Sequence, residues 1–159
     1  MLRTRVIRLL LLATLLAHGG AQAGVLPYDP AADAKSDVQR ALRASKSAHV
    51  PVLLVFGANW CEDCRALDKA LRTPGNAELI AHEFRWVKVD VGNFDRNLDI
   101  AAAYGDPITK GIPAAVIVSP DNRILYSTRA GELADARRMS AAGVHDFFTQ
   151  AAQAAKTAH

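Results

Sequence analysis

Trp60-Cys61-Glu62-Asp63-Cys64 stands between the apolar run Val50–Phe56 and the helix-like stretch Arg65–Leu71, and it holds the only two cysteines of the 159-residue chain. A C-x-x-C that closes a strand and opens a helix constrains fold and chemistry together. Residues i and i+3 of a helix share a face, so the two sulfurs fall within disulfide reach and can open again with little backbone movement. The first sulfur also lies near free backbone N–H groups at the helix start, which stabilise a thiolate. Their roles should therefore differ. Cys61 is expected to be the exposed, low-pKa nucleophile that makes a mixed disulfide, and Cys64, one turn in, the shielded thiol that resolves it.

Other uses of such a pair fit less well. Structural zinc takes four Cys or His ligands, and the chain has neither a second Cys pair nor an H-x₃₋₅-H, so no metal is expected. An inert bridge closing so short a loop would remove little unfolded-state entropy. No phosphate-binding glycine loop or nucleophilic serine motif occurs, and no cofactor is expected. His49, His82 and His145 fall on different expected elements and read as surface residues.

The first residues say where this chemistry takes place. Met1–Arg8 carries Arg3, Arg5 and Arg8, Leu9–Ala17 is almost wholly apolar, and Ala21-Gln22-Ala23 is the small-x-small pattern of a signal-peptidase site. A signal peptide over residues 1–23, cleaved after Ala23, is expected. The apolar run is too short to span a bilayer, so no stable membrane insertion is expected after cleavage. Export implies an oxidising compartment, here the periplasm, where an exposed C-x-x-C either oxidises clients or is kept reduced by a dedicated electron supply. The three leader arginines account for the whole formal charge of +3, so the chain from Gly24 onward is neutral. That balance gives no case for nucleic-acid binding.

Residues 24–159 suit one domain with one core. Pro30–Ser47 places Val38, Ala41, Leu42 and Ser45 on one helical face, with Asp29 or Asp33 as N-cap. Val50–Phe56 is apolar and β-branched without alternation, the pattern of a central strand buried on both faces. The following helix turns Ala66, Leu67, Ala70 and Leu71 inward and stops at Thr73-Pro74-Gly75. A short helix at Asn76–His82, a strand at Phe84–Val91 and a helix at Asn97–Tyr104 come next. Ala114–Val118 and Arg123–Thr128 read as a hairpin around Ser119-Pro120-Asp121-Asn122, and Ser140–Ala155 as a last amphipathic helix.

On these residues the chain resembles thioredoxin-fold proteins. The likeness is carried by Pro51–Phe56 leading into Ala58-Asn59-Trp60-Cys61-Glu62-Asp63-Cys64, by Lys88-Val89-Asp90-Val91, and by Gly111-Ile112-Pro113 ahead of the hairpin. It implies an α/β thioredoxin fold, a central mixed sheet flanked by helices on both faces, over the whole of residues 24–159. It further implies a cis bond at Ile112-Pro113, packed against the cysteines, and a backbone at Ile112 that pairs with an extended client segment. Trp60 is expected to shape the rim around Cys61. Two departures stand out. Typical members carry a buried acid five residues before the tryptophan, where this chain has Val55, so the strand lysine, Lys88, lacks the acid with which it would assist proton transfer. The charged segment Ala130–Met139 is longer than in a minimal thioredoxin; it either borders the active-site edge and selects a partner or, as the simpler reading, is a solvated loop.

The function expected from these features is a thiol-disulfide oxidoreductase that reduces disulfides in exported client proteins, with electrons from a membrane thiol carrier. The alternative is a metallochaperone or assembly factor whose cysteine pair holds Cu(I) through soft thiolates. Glu62 and Asp63 place two negative charges beside the Cys61 thiolate, which disfavours the reduced form and makes the protein a better reductant. Its potential is expected nearer thioredoxin's, about −270 mV, than the strong-oxidant value of about −120 mV. Equilibration of the purified protein with glutathione buffers measures this, and a value at the oxidant end would refute the charge argument.

Overall fold

The computed structural model describes residues 26–158; the expected leader and its cleavage site lie outside them. Val52–Gly57 (β1) contains no polar side chain, and every one of its positions is buried. Burial on both faces follows from its place inside a four-stranded sheet of order β2-β1-β3-β4. Arg85–Asp90 (β2) runs parallel to β1, whereas Ala114–Val118 (β3) pairs antiparallel with β1, and Ile124–Ser127 (β4) antiparallel with β3. The register sets Val55 beside Lys88 on one flank and Ala115 on the other. A parallel pair needs a crossover. Glu62–Leu71 (α2) and Pro74–Glu83 (α3) supply it, while Ala34–Ala48 (α1), Leu98–Ala103 (α4) and Ala141–Thr157 (α5) complete the layers.

Alternation along β1 divides the core. Val52, Leu54 and Phe56 pack with Val38 of α1 and Ile100 and Ala101 of α4. Leu53 and Val55 pack with Leu67 and Leu71 of α2, Ile80 of α3, and Val144 and Phe148 of α5. Helices thus cover both faces of a mixed sheet. At the ends of the helices, side chains satisfy the free N–H groups: Asp33 Oδ1 accepts from Ser36 N at 3.0 Å, and Ser140 Oγ from Gly143 N at 3.0 Å.

The boundaries differ from the sequence reading in ways that have local causes. α1 begins at Ala34 because Asp29 is spent upstream, accepting from Ala31 N at 2.8 Å in a separate turn. Pro74 opens α3 at its first turn, where its missing N–H is harmless, so this helix starts two residues before the expected Asn76. On α2, Ala66 and Ala70 are only half-buried, while Asp63 and Asp68 are buried. Short 3-10 turns at Pro107–Lys110 and Ala136–Arg138 were not anticipated. Among the described residues no helix is long and apolar enough to cross a membrane.

α5 is tied to α3 through Lys156 Nζ, 2.7 Å from Glu83 Oε2. The hydrogen bond from Lys156 holds the Glu83 carboxyl below its ordinary value; burial opposes it, and the bond from His82 adds to it. A depressed acid contributes stability that is complete above its unfolded pKa of about 4.3 and is lost as pH falls through the lower folded value. Lys156→Met is therefore expected to flatten the acid limb of stability against pH, measured as urea midpoints, while lowering stability at neutral pH by no more than about 1 kcal/mol.

Candidate active site

β1 delivers the chain through Ala58-Asn59-Trp60 to Cys61, which is the N-cap of α2 with extended backbone angles of φ −73° and ψ 116°. Cys61 and Cys64 are joined as a disulfide with their Cα atoms 5.2 Å apart, inside the usual bridging range. Cys64 N–H donates to Cys61 Sγ at 3.1 Å, so the free donor at the helix start points at the sulfur that would become a thiolate. On its other side Cys61 Sγ lies 3.5 Å from the carbonyl oxygen of Ile112. The Ile112–Pro113 peptide is cis, and both residues are buried against the pair.

This packing corrects the expectation of an exposed Cys61. Its relative exposure is 6 %, against 1 % for Cys64. The ordering of the two is as reasoned, but the N-cap position and the Ile112 carbonyl turn the first sulfur into the protein and leave only a narrow opening. Beside it stands an aromatic rim. Trp60 is 53 % exposed, its Nε1–H donates to Gly92 O at 2.8 Å, and its ring meets Phe94 edge-on with centroids 6.1 Å apart. Phe94 itself is exposed and held at φ 60°, a conformation bulky residues rarely adopt.

The two acids between the cysteines do not act alone. Asp63 Oδ1 accepts from the backbone N–H of Arg137 at 2.9 Å, and the Arg137 guanidinium lies 3.6 Å from Asp63 Oδ2 and 3.2 Å from Glu62 Oε2. Arg137 belongs to the segment read as a solvated loop. That reading is corrected: Leu133 is fully buried and Ala136 nearly so, and they anchor the segment over α2. The two negative charges invoked beside Cys61 thus share a single cation, 74 residues from Asp63, which offsets them in part.

Lys88 is likewise not left without an acid. Its ammonium pairs with Asp68 Oδ1, whose other oxygen accepts from Arg72 Nε at 2.8 Å. Val55 occupies the strand position beside Lys88, and the helix rather than the strand supplies the carboxylate. The signal was present in the sequence: Asp68 follows Cys64 by one helical turn and shares its face. His49 and His82 are exposed, but His145 is half-buried, with Nδ1 3.1 Å from Asn76 Oδ1. Asn59, also missed, clasps the chain before α1: Tyr28 N–H donates to its Oδ1 at 2.9 Å, and its Nδ2 donates to Tyr28 O at 2.7 Å. Among the described residues no three His, Cys, Asp or Glu side chains converge to hold a metal ion.

A bridged C-x-x-C at the start of a helix, fed by a central strand and covered by a cis-proline loop, defines a thiol-disulfide oxidoreductase centre of the thioredoxin type. A thioredoxin-like family model matches residues 33–120, and the chain belongs to that family. Among solved structures, a disulphide isomerase from Xylella fastidiosa Temecula1 is 59% identical, with a TM-score of 0.79 over 80% of this chain and 98% of that one. The C-terminal domain of Neisseria meningitidis DsbD shares the fold at 22% identity in its oxidised form, with a TM-score of 0.58 over 76% of this chain and 97% of the domain. Its reduced form gives 21% identity and a TM-score of 0.55 over 74% and 96%. A comparison with curated proteins finds no match.

Arg137→Ala would leave Glu62 and Asp63 uncompensated beside the sulfur pair. The reduced form is then disfavoured, and the glutathione-equilibrium potential is expected to fall by on the order of 10–20 mV, the size of one partly exposed ion-pair interaction. An unchanged or higher potential would show that the acids do not tune the pair.

Proposed function

We propose that the chain is exported, loses residues 1–23, and works over residues 24–159 as a periplasmic reductase of disulfides in exported client proteins. The observation that carries this reading is the bridged Cys61–Cys64 pair with its one narrow opening at Cys61. In the reduced protein the Cys61 thiolate attacks one sulfur of a client disulfide. A Cys61–client bond forms, the client disulfide breaks, and the second client sulfur leaves as a thiolate. Cys64, as thiolate, then attacks Cys61 Sγ, releasing the client's remaining sulfur and closing the Cys61–Cys64 bridge. Two electrons from a membrane thiol carrier reopen it.

The surroundings suit an extended client. The backbone at Ile112 borders Cys61 Sγ and offers hydrogen-bonding groups to a strand laid across it. Trp60 and Phe94 provide apolar surface beside the opening. Glu62, Asp63 and Arg137 adjust the stability of the thiolate, and Lys88 with Asp68 forms the charged pair nearest the role of a proton relay.

A second reading, disulfide isomerisation, is favoured by the description of the 59% identical structure as a disulphide isomerase. It shares the first attack and differs in what resolves the adduct, a second client thiol in place of Cys64. Cys64→Ser is expected to accumulate thiol-sensitive adducts with client proteins, and Cys61→Ser to form none. Gels run with and without dithiothreitol read the result. No adduct, together with tight Cu(I) binding by the unmodified protein, would replace the oxidoreductase reading with the metallochaperone. Reduction of insulin with little reactivation of scrambled ribonuclease supports the reductase, and the reverse supports the isomerase.

A further inference from the structure

The most deeply buried titratable side chain near the sulfur pair is Tyr28, in the stretch ahead of α1, and nothing above gives it a role. The phenol is 2 % exposed. Its position is fixed from two sides: Asn59 clasps its backbone through reciprocal hydrogen bonds, and Arg96 Nη1 donates to Pro30 O at 3.2 Å just downstream. Gly57, at the end of β1, shows where the hydroxyl points. A Cβ built on Gly57 would overlap Tyr28 Oη and come within 2.9 Å of Cys64 Sγ, so hydroxyl and sulfur flank the same small space. The φ of Gly57 is not positive, and glycine is required there by this close approach alone.

We propose that Tyr28 is the positioning residue of the resolving thiol, its hydroxyl donating a hydrogen bond to the Cys64 thiolate when the bridge is open. This rests on the reductase reading and deepens it. To attack the mixed disulfide on Cys61, reduced Cys64 must give up its proton, which reaches solvent by way of the Lys88–Asp68 pair. Cys64 is a residue of 1 % exposure, so the sulfur anion left behind needs a donor in place of solvent. Tyr28 keeps its own proton throughout, because burial, with the carboxylates of Asp68 and Asp90 adding to it, raises its pKa far above the ordinary range. It acts as a donor, not as an acid.

The charged groups around the pair come from α2, from β2 and from the two segments that carry Arg137 and Arg96. On α2 stand Glu62, Asp63 and Asp68; the first two face Arg137, and Asp68 faces Lys88. On β2 stand Lys88, whose ammonium lies 6.0 Å from the centre of the Tyr28 ring, and Asp90, which is paired with Arg96 at 3.2 Å. Glu62 and Asp63 share the Arg137 guanidinium, while Asp68 and Asp90 are paired with Lys88 and Arg96. The phenol remains as the neutral polar group that borders the same space as the sulfur.

The test is Tyr28→Phe in the chain beginning at Gly24, which removes the hydroxyl alone. Reduced protein is mixed with oxidised glutathione, and the rate at which the Cys61–glutathione adduct resolves is followed by rapid acid quench from about pH 6 to about pH 10. In the variant, resolution at neutral pH is expected to slow by about tenfold, with the midpoint of its pH profile moved up by about one unit, the scale of one hydrogen bond to a charged group. Identical rates and midpoints in variant and parent overturn the assignment to Tyr28. A parent protein that forms no adduct at all overturns the reductase reading instead. If the variant does not fold, the ¹³Cζ resonance of Tyr28 in the parent decides. A shift on reduction that titrates with Cys64 supports the bond, and a resonance indifferent to both redox state and pH overturns it.

Discussion

At the last residue of β1 there is no room for a side chain, and the arrangement of the whole site depends on that. Gly57 lets the Tyr28 hydroxyl and the Cys64 sulfur close over the strand end. The five residues before it are each no more than 2 % exposed, so the site is mounted on a fully packed strand at the centre of the sheet. Burial of such side chains contributes about 1.5–3 kcal/mol apiece. The position of the sulfur pair is therefore set by the core, and only the first turn of α2 and the loop at Ile112 remain to shape its one opening.

Much of this was legible because it is written in short-range patterns. Val50–Phe56 lacks polar alternation, which marks a strand with neighbours on both sides. Ser119-Pro120-Asp121-Asn122 between two β-rich runs announces a hairpin, and the interval from Cys61 to Pro113 supports the likeness to thioredoxins. The polar contacts were not legible in the same way. Asp68 meets Lys88 across 20 residues, Tyr28 meets Asn59 across 31, and Arg137 meets Asp63 across 74. No periodicity links such positions, since each depends on how separate elements dock. Asp68 is the partial exception, because helical spacing alone put it on the face of Cys64.

The acids between the cysteines show how far a motif can be read in isolation. Within the pentapeptide, Glu62 and Asp63 can only repel a thiolate. In the folded protein they share one guanidinium delivered by a segment whose apolar residues, Leu133 and Ala136, sink into the second core layer. The Ile112 carbonyl narrows access to the pair. A cysteine of 6 % exposure favours a thin, extended segment over a bulky folded surface.

The sheet margins have a bearing on colloidal behaviour. From Gly24 onward the residues carry a formal net charge of zero at neutral pH, so this part of the chain supplies little repulsion between copies. The shape of the sheet margins bears on the same point. β4 is only four residues long and carries a register irregularity where it leaves β3, while β2, the opposite margin, bears Arg85 and Lys88. Short, kinked or cationic borders are poor templates for another strand. Margins of this kind give a neighbouring copy no straight ledge on which to extend the sheet.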